Sequence, residues 1–239
     1  MMKHSYYLFI FISVLMVACS PKYYTPNTQN VALISQEGET DLNVSGNGNQ
    51  VEFQGAYGVS DKVAILANGG LFIPKDLDNG NGGSGNFIEF GAGYFQKVKQ
   101  DFVFETYALL GFGSFENHMP STTSSNPQTE GDISANILRF GIQPNFGYKS
   151  ENFEAAISTR FLGLNYNSIK GDLIYNGNSQ TDYLEENKTN LLIEPALTLR
   201  GGLENFKLQF QIGSSINLSN VNFRQDHVYA TMGLNFRFN

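Results

Sequence analysis

The last twelve residues read VYATMGLNFRFN, residues 228–239. Val228, Ala230, Met232, Leu234, Phe236 and Phe238 alternate with Tyr229, Thr231, Gly233, Asn235 and Arg237. Successive side chains of a strand leave on opposite faces, so this spelling predicts a β-strand set between an apolar and a polar environment. No helical period is visible in the segment, and the alternation runs without interruption to Phe238.

The same period extends upstream. Phe206, Leu208, Phe210, Ile212, Ile216 and Leu218 oppose Lys207, Gln209, Gln211, Ser215 and Asn217; before them, Leu191, Ile193, Leu197 and Leu199 oppose Asn190, Glu194, Thr198 and Arg200. Further strands are expected at about 153–167, 133–148, 101–116, 86–97, 63–74, 50–58 and 40–46, which makes ten. The first of these is short, and eight strands remain if the hairpin around Gly46-Asn47-Gly48-Asn49 packs elsewhere. Short connections (Ser60-Asp61, Val98-Lys99-Gln100, Ser150-Glu151, Gly201-Gly202) alternate with long ones at 75–85, 117–132, 169–188 and 219–225. Short turns at one end and long loops at the other are the asymmetry of an outer-membrane barrel. The expected fold is therefore all-β: a closed, antiparallel, up-and-down transmembrane β-barrel of about ten strands over residues 40–239. Pro144 and Pro195 fall inside expected strands, where each removes a ladder hydrogen bond, and bulges are expected there.

Composition agrees with one large β domain: 239 residues with 25 Gly, 20 Phe and 12 Tyr, and only 15% charged residues. The formal net charge of −7 and the absence of a Lys/Arg cluster argue against nucleic acid as a partner. A single cysteine excludes disulfides within the chain.

The chain begins MMKHSYYLFIFISVLMVACS. Lys3 followed by an apolar run from Tyr6 to Ala18 has the form of a signal peptide over residues 1–18, and the run is too short for a spanning helix. Met16-Val17-Ala18-Cys19-Ser20 resembles the lipobox of bacterial lipoproteins, departing from it at Met16, where Leu is usual. The resemblance implies lipid attachment at Cys19; cleavage by the ordinary signal peptidase is the alternative. Residues 19–39 open with polar, Pro-containing chain and are expected to form a lipidated tether. An even strand number puts both ends of the barrel domain on the short-turn side, so the tether is expected in the periplasm and the long loops outside the cell.

Period two does not by itself say which face points outward, since a soluble lipocalin-like barrel also alternates. Two features favour lipid outside. The apolar face carries Phe, Leu and Ile on nearly every strand, more than a small barrel could hold inside. Tyr57, Phe146, Tyr148, Phe153, Phe206, Phe236 and Phe238 gather near the short-turn ends, as in an interfacial aromatic girdle. The polar face carries Glu52, Glu89, Glu105, Glu154 and Glu194 against Arg139, Arg160, Arg200, Lys207 and Arg237. Unpaired charge in a narrow lumen is costly, so these residues are expected to form an internal network in which Arg237 meets a glutamate, Glu52 being one candidate.

Thr231, Gly233, Phe236 and Phe238 also fit the C-terminal β-signal of outer-membrane barrels (polar, any, Gly, any, any, hydrophobic, any, hydrophobic), with Asn239 trailing. In layout the chain resembles small outer-membrane β-barrel proteins of Bacteroidota. That resemblance implies outer-membrane lipid and the barrel-assembly machinery as partners of a monomer; it implies no activity.

Little in the sequence suits catalysis. Outside the signal the histidines are His118 and His227. In Asp226-His227 the two side chains are adjacent and leave on opposite strand faces, unlike the rim pair of omptin proteases. Ser219 and His227 form no recognisable lipid-A deacylase pair. Read as an EF-hand loop from Asp76, the chain places Gly80 where an oxygen ligand belongs and Asn81 where Gly is required, so no calcium site is expected. No cofactor or metal is expected. The reading is a non-enzymatic envelope barrel with a structural or interaction role and loops able to bind a ligand. A rim-active protease or lipid-A-modifying hydrolase and a soluble periplasmic lipoprotein barrel with an apolar pocket are the alternatives.

Overall fold

A computed structural model describes residues 21–73, 82–119 and 129–238. The signal peptide, Cys19 and residues 76–81 of the acidic loop lie outside the described residues. In chain order the elements are β1 (Thr40–Gly46), β2 (Gln50–Gly58), β3 (Val63–Phe72), β4 (Gly82–Lys99), β5 (Phe102–Met119), β6 (Gly131–Lys149) and β7 (Phe153–Gly171). They continue with β8 (Ile174–Tyr175), β9 (Asn178–Ser179), α1 (Gln180–Glu186), β10 (Thr189–Leu203), β11 (Phe206–Ser214), β12 (Ile216–Asn217) and β13 (Val228–Phe238).

Both β11 and β12 pair with β10, so they are two parts of one interrupted strand. Among the described residues, ten antiparallel strands close into a barrel, with β13 bonded to β11 on one side and to β1 on the other. The seam runs from Thr40↔Phe238 to Gly46↔Met232. The short first hairpin is thus part of the wall, which removes the eight-strand alternative. β8 and β9 form a small separate hairpin in the β7–β10 connection.

The alternation resolves as apolar outside and polar inside. Phe210, Phe53, Phe140 and Leu208 are exposed on the outer face, whereas Arg237 is only 5% exposed and points into the lumen. Near the short-turn end the outer rings touch: Phe206 and Phe236 lie 5.3 Å apart, and Phe102 packs against Phe146 at 5.6 Å and Tyr148 at 5.5 Å.

Several boundaries differ from the sequence expectation. Gly201 and Gly202 remain in β10, opposite Leu208 and Lys207, and the turn is made by Glu204-Asn205 instead. Val98 and Lys99 likewise belong to β4. Neither proline carries a bulge. Ile142↔Phe161 and Asn145↔Ser158 share one register, so the ladder is interrupted beside Pro144 without slipping. Pro195 faces the gap between β11 and β12, where its missing N–H disturbs least. The register shifts lie at Lys97/Lys99 and Ser134/Asn136.

The largest difference concerns residues 21–39. They do not hang outside as a tether: from Tyr23 to Leu33 almost every residue is buried, and the segment fills the barrel interior before entering β1. The physical reason lies in the wall. A ten-stranded lumen lined by Gln54, Asn68, Gln143, Asn145, Gln209 and Gln211 presents buried amides that need partners. The segment supplies backbone groups and the side chains of Asn27, Thr28, Gln29 and Asn30 to meet them, while Val31 and Leu33 pack with Val103 and Ala156 of the wall.

Candidate functional site

The lumen segment is held at three levels. At the long-loop end, Tyr23 N donates to Arg224 O at 2.8 Å and Asp226 N donates to Tyr24 O at 2.9 Å. Tyr23 Oη donates to Gln180 Oε1 at 2.8 Å, Tyr166 Oη to Tyr23 O at 2.9 Å, and Asn117 Nδ2 to Lys22 O at 2.8 Å. Midway, Gln29 N donates to Gln211 Oε1 at 2.7 Å and Gln29 Nε2 to Glu194 O at 2.6 Å, while Gln211 Nε2 donates back to Gln29 O at 3.0 Å. At the short-turn end, Lys149 Nζ donates to Leu33 O at 2.8 Å and to Ser35 Oγ at 3.0 Å, and also pairs with Glu39.

The ten charged residues singled out on the polar face are all buried. They do not form one network but two clusters and two isolated acids. Near mid-barrel, Glu89 pairs with Arg139 at 2.6 Å and Glu194 with Arg160 at 2.7 Å. Asn27 of the lumen segment joins these pairs: its Oδ1 accepts from Arg139 Nη1 at 2.8 Å and from Arg160 Nη1 at 2.9 Å. Toward the short turns, Glu154 gathers Arg200 at 3.1 Å, Lys207 at 3.4 Å and Arg237. Arg237 also meets Asp41 at 2.8 Å and Glu39 at 3.0 Å. Its partners are therefore Glu154, Asp41 and Glu39, and not Glu52.

Glu52 and Glu105 have no cationic partner within ion-pair distance among the described residues. Glu52 Oε1 instead accepts from Thr28 N and Thr28 Oγ1, each at 3.0 Å, and from Gln50 Nε2 at 2.6 Å. Glu105 accepts from Ile34 N at 2.7 Å, Tyr107 Oη at 2.9 Å and Asn145 Nδ2 at 3.1 Å. Each of these acids thus receives a backbone N–H from the lumen segment, a partner no strand-by-strand reading could supply.

The four residues that resemble a β-signal lie on the closing strand. Thr231 points inward and is 3.0 Å from Thr28 Oγ1, Phe238 is exposed on the outer face, and Phe236 is half-buried there. Gly233 sits against Ser45 across the seam, where an added Cβ would come within 2.7 Å of Val44 O.

The long-loop mouth is built from an aromatic cluster. Tyr23 packs on Phe115 and Tyr183, each at 5.8 Å between ring centroids, and on Phe223 at 6.4 Å. Arg224 stacks over Tyr175 and Tyr183 at 4.4 and 5.0 Å. Partial burial pushes the Tyr183 phenol up from its ordinary pKa, opposed by a hydrogen bond from the Arg224 backbone and by the Arg224 charge. The helix α1 lies in this loop, with Ser179 Oγ capping Asp182 N at 3.3 Å. Beside the cluster a cavity of about 350 Å³ opens, lined by Tyr23, Phe72, Phe87, Phe115, His118 and Arg139.

Among the described residues no group of His, Cys, Asp and Glu is arranged to hold a metal. His227 Nδ1 faces Ser215 O at 3.4 Å, and Asp226 accepts from Thr25 Oγ1 at 2.8 Å, so the adjacent pair works separately. Ser219 Oγ accepts from Leu191 N at 3.0 Å. His118 is paired with Asp132 across β5 and β6 in a half-exposed position.

The sequence reading missed Asn27, Glu39, Asp41 and Lys149. Glu39 and Asp41 were legible only in part: Asp41 falls on the polar face of β1, opposite Arg237. The capping pattern Ser179-Gln180-Thr181-Asp182 could have disclosed α1.

No protein-family model matches the chain, and no curated protein matches it. Among solved structures it is similar to the KdgM porin, at 9% identity and a TM-score of 0.37 over 84% of this chain and 99% of that one. A major outer membrane protein from Thermus thermophilus gives 10% identity and a TM-score of 0.41 over 84% and 99%. The outer membrane protease OmpT from Escherichia coli gives 11% and 0.41 over 84% and 90%.

Proposed function

We propose that the chain is a plugged, non-conducting barrel of a bacterial outer membrane that works as an interaction or ligand-binding protein at its long-loop face. The carrying observation is the lumen segment, bonded to the wall from Tyr23 at one end to Glu39 at the other. A channel needs continuous water, and here the axis is occupied by protein. The membrane reading rests on the outer face, where side chains such as Phe53, Phe112, Phe140, Ile157 and Leu208 stand exposed around the wall and find a favourable partner in lipid. The soluble alternative is opposed by the side chains themselves: large apolar residues stand on the outer face while Glu89, Glu154, Glu194, Arg139, Arg160 and Arg200 are buried inside. Short turns lie in the periplasm and long loops outside the cell. Thr231, Gly233, Phe236 and Phe238 serve the barrel-assembly machinery, and the working unit is a monomer.

The cavity at the mouth, with aromatic walls and amide and hydroxyl groups from Asn86, Asn117 and Ser114, suits a small amphipathic ligand. The protein reconstituted in planar bilayers is expected to give no channel steps while showing heat-modifiable gel mobility. Regular conductance steps from the intact chain would overturn the plugged reading.

One observation favours a second reading. The His118–Asp132 pair stands at the rim, where a hydrolase would place a general base. No nucleophile is within hydrogen-bond distance of His118 among the described residues, which makes the enzyme reading the weaker one.

A further inference from the structure

We propose that the chain upstream of Pro21 is delivered to the cell surface through the protein's own lumen, so that the N-terminal end of the processed chain is displayed beside the long loops. The inference rests on the orientation given under the proposed function and replaces the periplasmic tether expected from sequence.

The direction of travel is fixed at both ends. Thr40 starts β1 at the short-turn rim, where Gly58 N donates to Glu39 O at 2.9 Å and Gly38 N to Gly58 O at 2.8 Å. Tyr24 lies in a parallel bridge with Gln225, in the long connection between β12 and β13. Residues 24–36 reach at most about 45 Å when extended, enough to cross the apolar band of about 25 Å that an outer-membrane barrel presents. The bonds at mid-barrel, from Arg160 to Asn27 and from Gln29 N to Gln211, mark the crossing itself.

Lys22 emerges exposed at the long-loop mouth. The position is locked: Tyr23 is buried between Phe115, Tyr183 and Phe223, its hydroxyl bonded to Gln180 of α1. Cys19 is three peptide units from Lys22, a reach of about 11 Å at most. A fatty acyl group on Cys19, the modification implied by the lipobox resemblance, would then be tethered at the long-loop face. The membrane anchor and the long loops share one face, and the barrel closes around the chain that carries the anchor.

Labelling of introduced cysteines with a membrane-impermeant maleimide, read against the parent chain that carries only Cys19, tests the path. Lys22→Cys is compared with Gly48→Cys, at the long-loop end, and Asp61→Cys, at the short-turn end; a Cβ at Gly48 meets open space and Asp61 is exposed. On intact cells Lys22→Cys and Gly48→Cys are expected to label to a similar extent, and Asp61→Cys only after lysis. Labelling of Gly48→Cys but not Lys22→Cys on intact cells overturns the threaded path. Labelling of Asp61→Cys alone overturns the orientation, and with it surface display. For the anchor, cells are fed an alkyne fatty acid and carry a specific protease site inserted after Ser20. Protease added outside intact cells is expected to strip the label from the barrel; retention of the label until lysis contradicts an anchor at the long-loop face.

Discussion

Arg160 donates two hydrogen bonds to a single residue of the lumen segment, to Asn27 Oδ1 at 2.9 Å and to Asn27 O at 2.8 Å, while its Nε donates to Glu194 at 3.0 Å. A fully buried guanidinium is thereby shared between wall and plug. Glu89–Arg139 and Glu194–Arg160 are balanced as pairs, but the hydrogen bonds of the two guanidinium groups are completed only when the segment is in place.

Removing one side of this arrangement leaves a buried charge alone. Arg160→Met is expected to cost about 3–5 kcal/mol, because Glu194 loses its partner, whereas Arg160→Met with Glu194→Leu recovers most of the loss. Asn27→Ala leaves two guanidinium donors short of acceptors and is expected to cost about 1–3 kcal/mol. Urea unfolding midpoints of the detergent-solubilised barrel measure all three; equal destabilisation by the single and double wall variants would refute the pairing.

Gly147 makes room for the plug. A Cβ there would meet Leu33 Cδ2 at 2.7 Å and Ala156 Cβ at 2.8 Å, and Leu33 holds its place with a left-handed φ of 53°. Gly147→Val is expected to destabilise by about 1–3 kcal/mol through overpacking. Adding Leu33→Ala should restore part of that stability. A wild-type melting profile for Gly147→Val would mean that Leu33 does not occupy the slot.

The alternation in residues 228–238 disclosed the strand, its two faces and the closed barrel, because a wall with apolar side chains outside and charged ones inside imposes period two on its strands. The hairpin ends were less legible. Gly201-Gly202 carries stronger local turn chemistry than Glu204-Asn205, yet cross-strand pairing of Arg200 with Gln209 and Leu199 with Phe210 extends the ladder past the glycines. The lumen segment was illegible for a different reason. Residues 25–30, TPNTQN, have the polarity of a linker, and nothing local distinguishes a chain solvated by water from one solvated by wall amides; the apolar run Val31-Ala32-Leu33-Ile34 that follows is the one local signal of burial. The partners of Glu52 and Glu105 were hidden with it, since they are backbone groups of Thr28 and Ile34.

Conductance separates a plug from a lining. A chain deleted for residues 21–36 and refolded into bilayers is expected to conduct where the intact chain does not. Absence of conductance in a deleted barrel with unchanged heat-modifiable mobility would mean that wall side chains alone close the lumen.

The rim pair bears on the enzyme reading. His118 and Asp132 are both about half exposed, so His118→Ala is expected to change stability by no more than about 1 kcal/mol. Purified protein is expected to hydrolyse neither peptides nor lipid A. An activity abolished by His118→Ala would establish the hydrolase reading.

The central claim is that residues 21–39 run inside the barrel, and a disulfide trap tests it most directly. Thr28 Oγ1 lies 3.3 Å from Ser45 Oγ across the lumen surface of β1. With Thr28→Cys and Ser45→Cys in one chain, oxidation in the native membrane is expected to give a reductant-sensitive shift in gel mobility, with both thiols protected from external reagents. Free, readily alkylated thiols at both positions in a folded, heat-modifiable barrel would contradict the account.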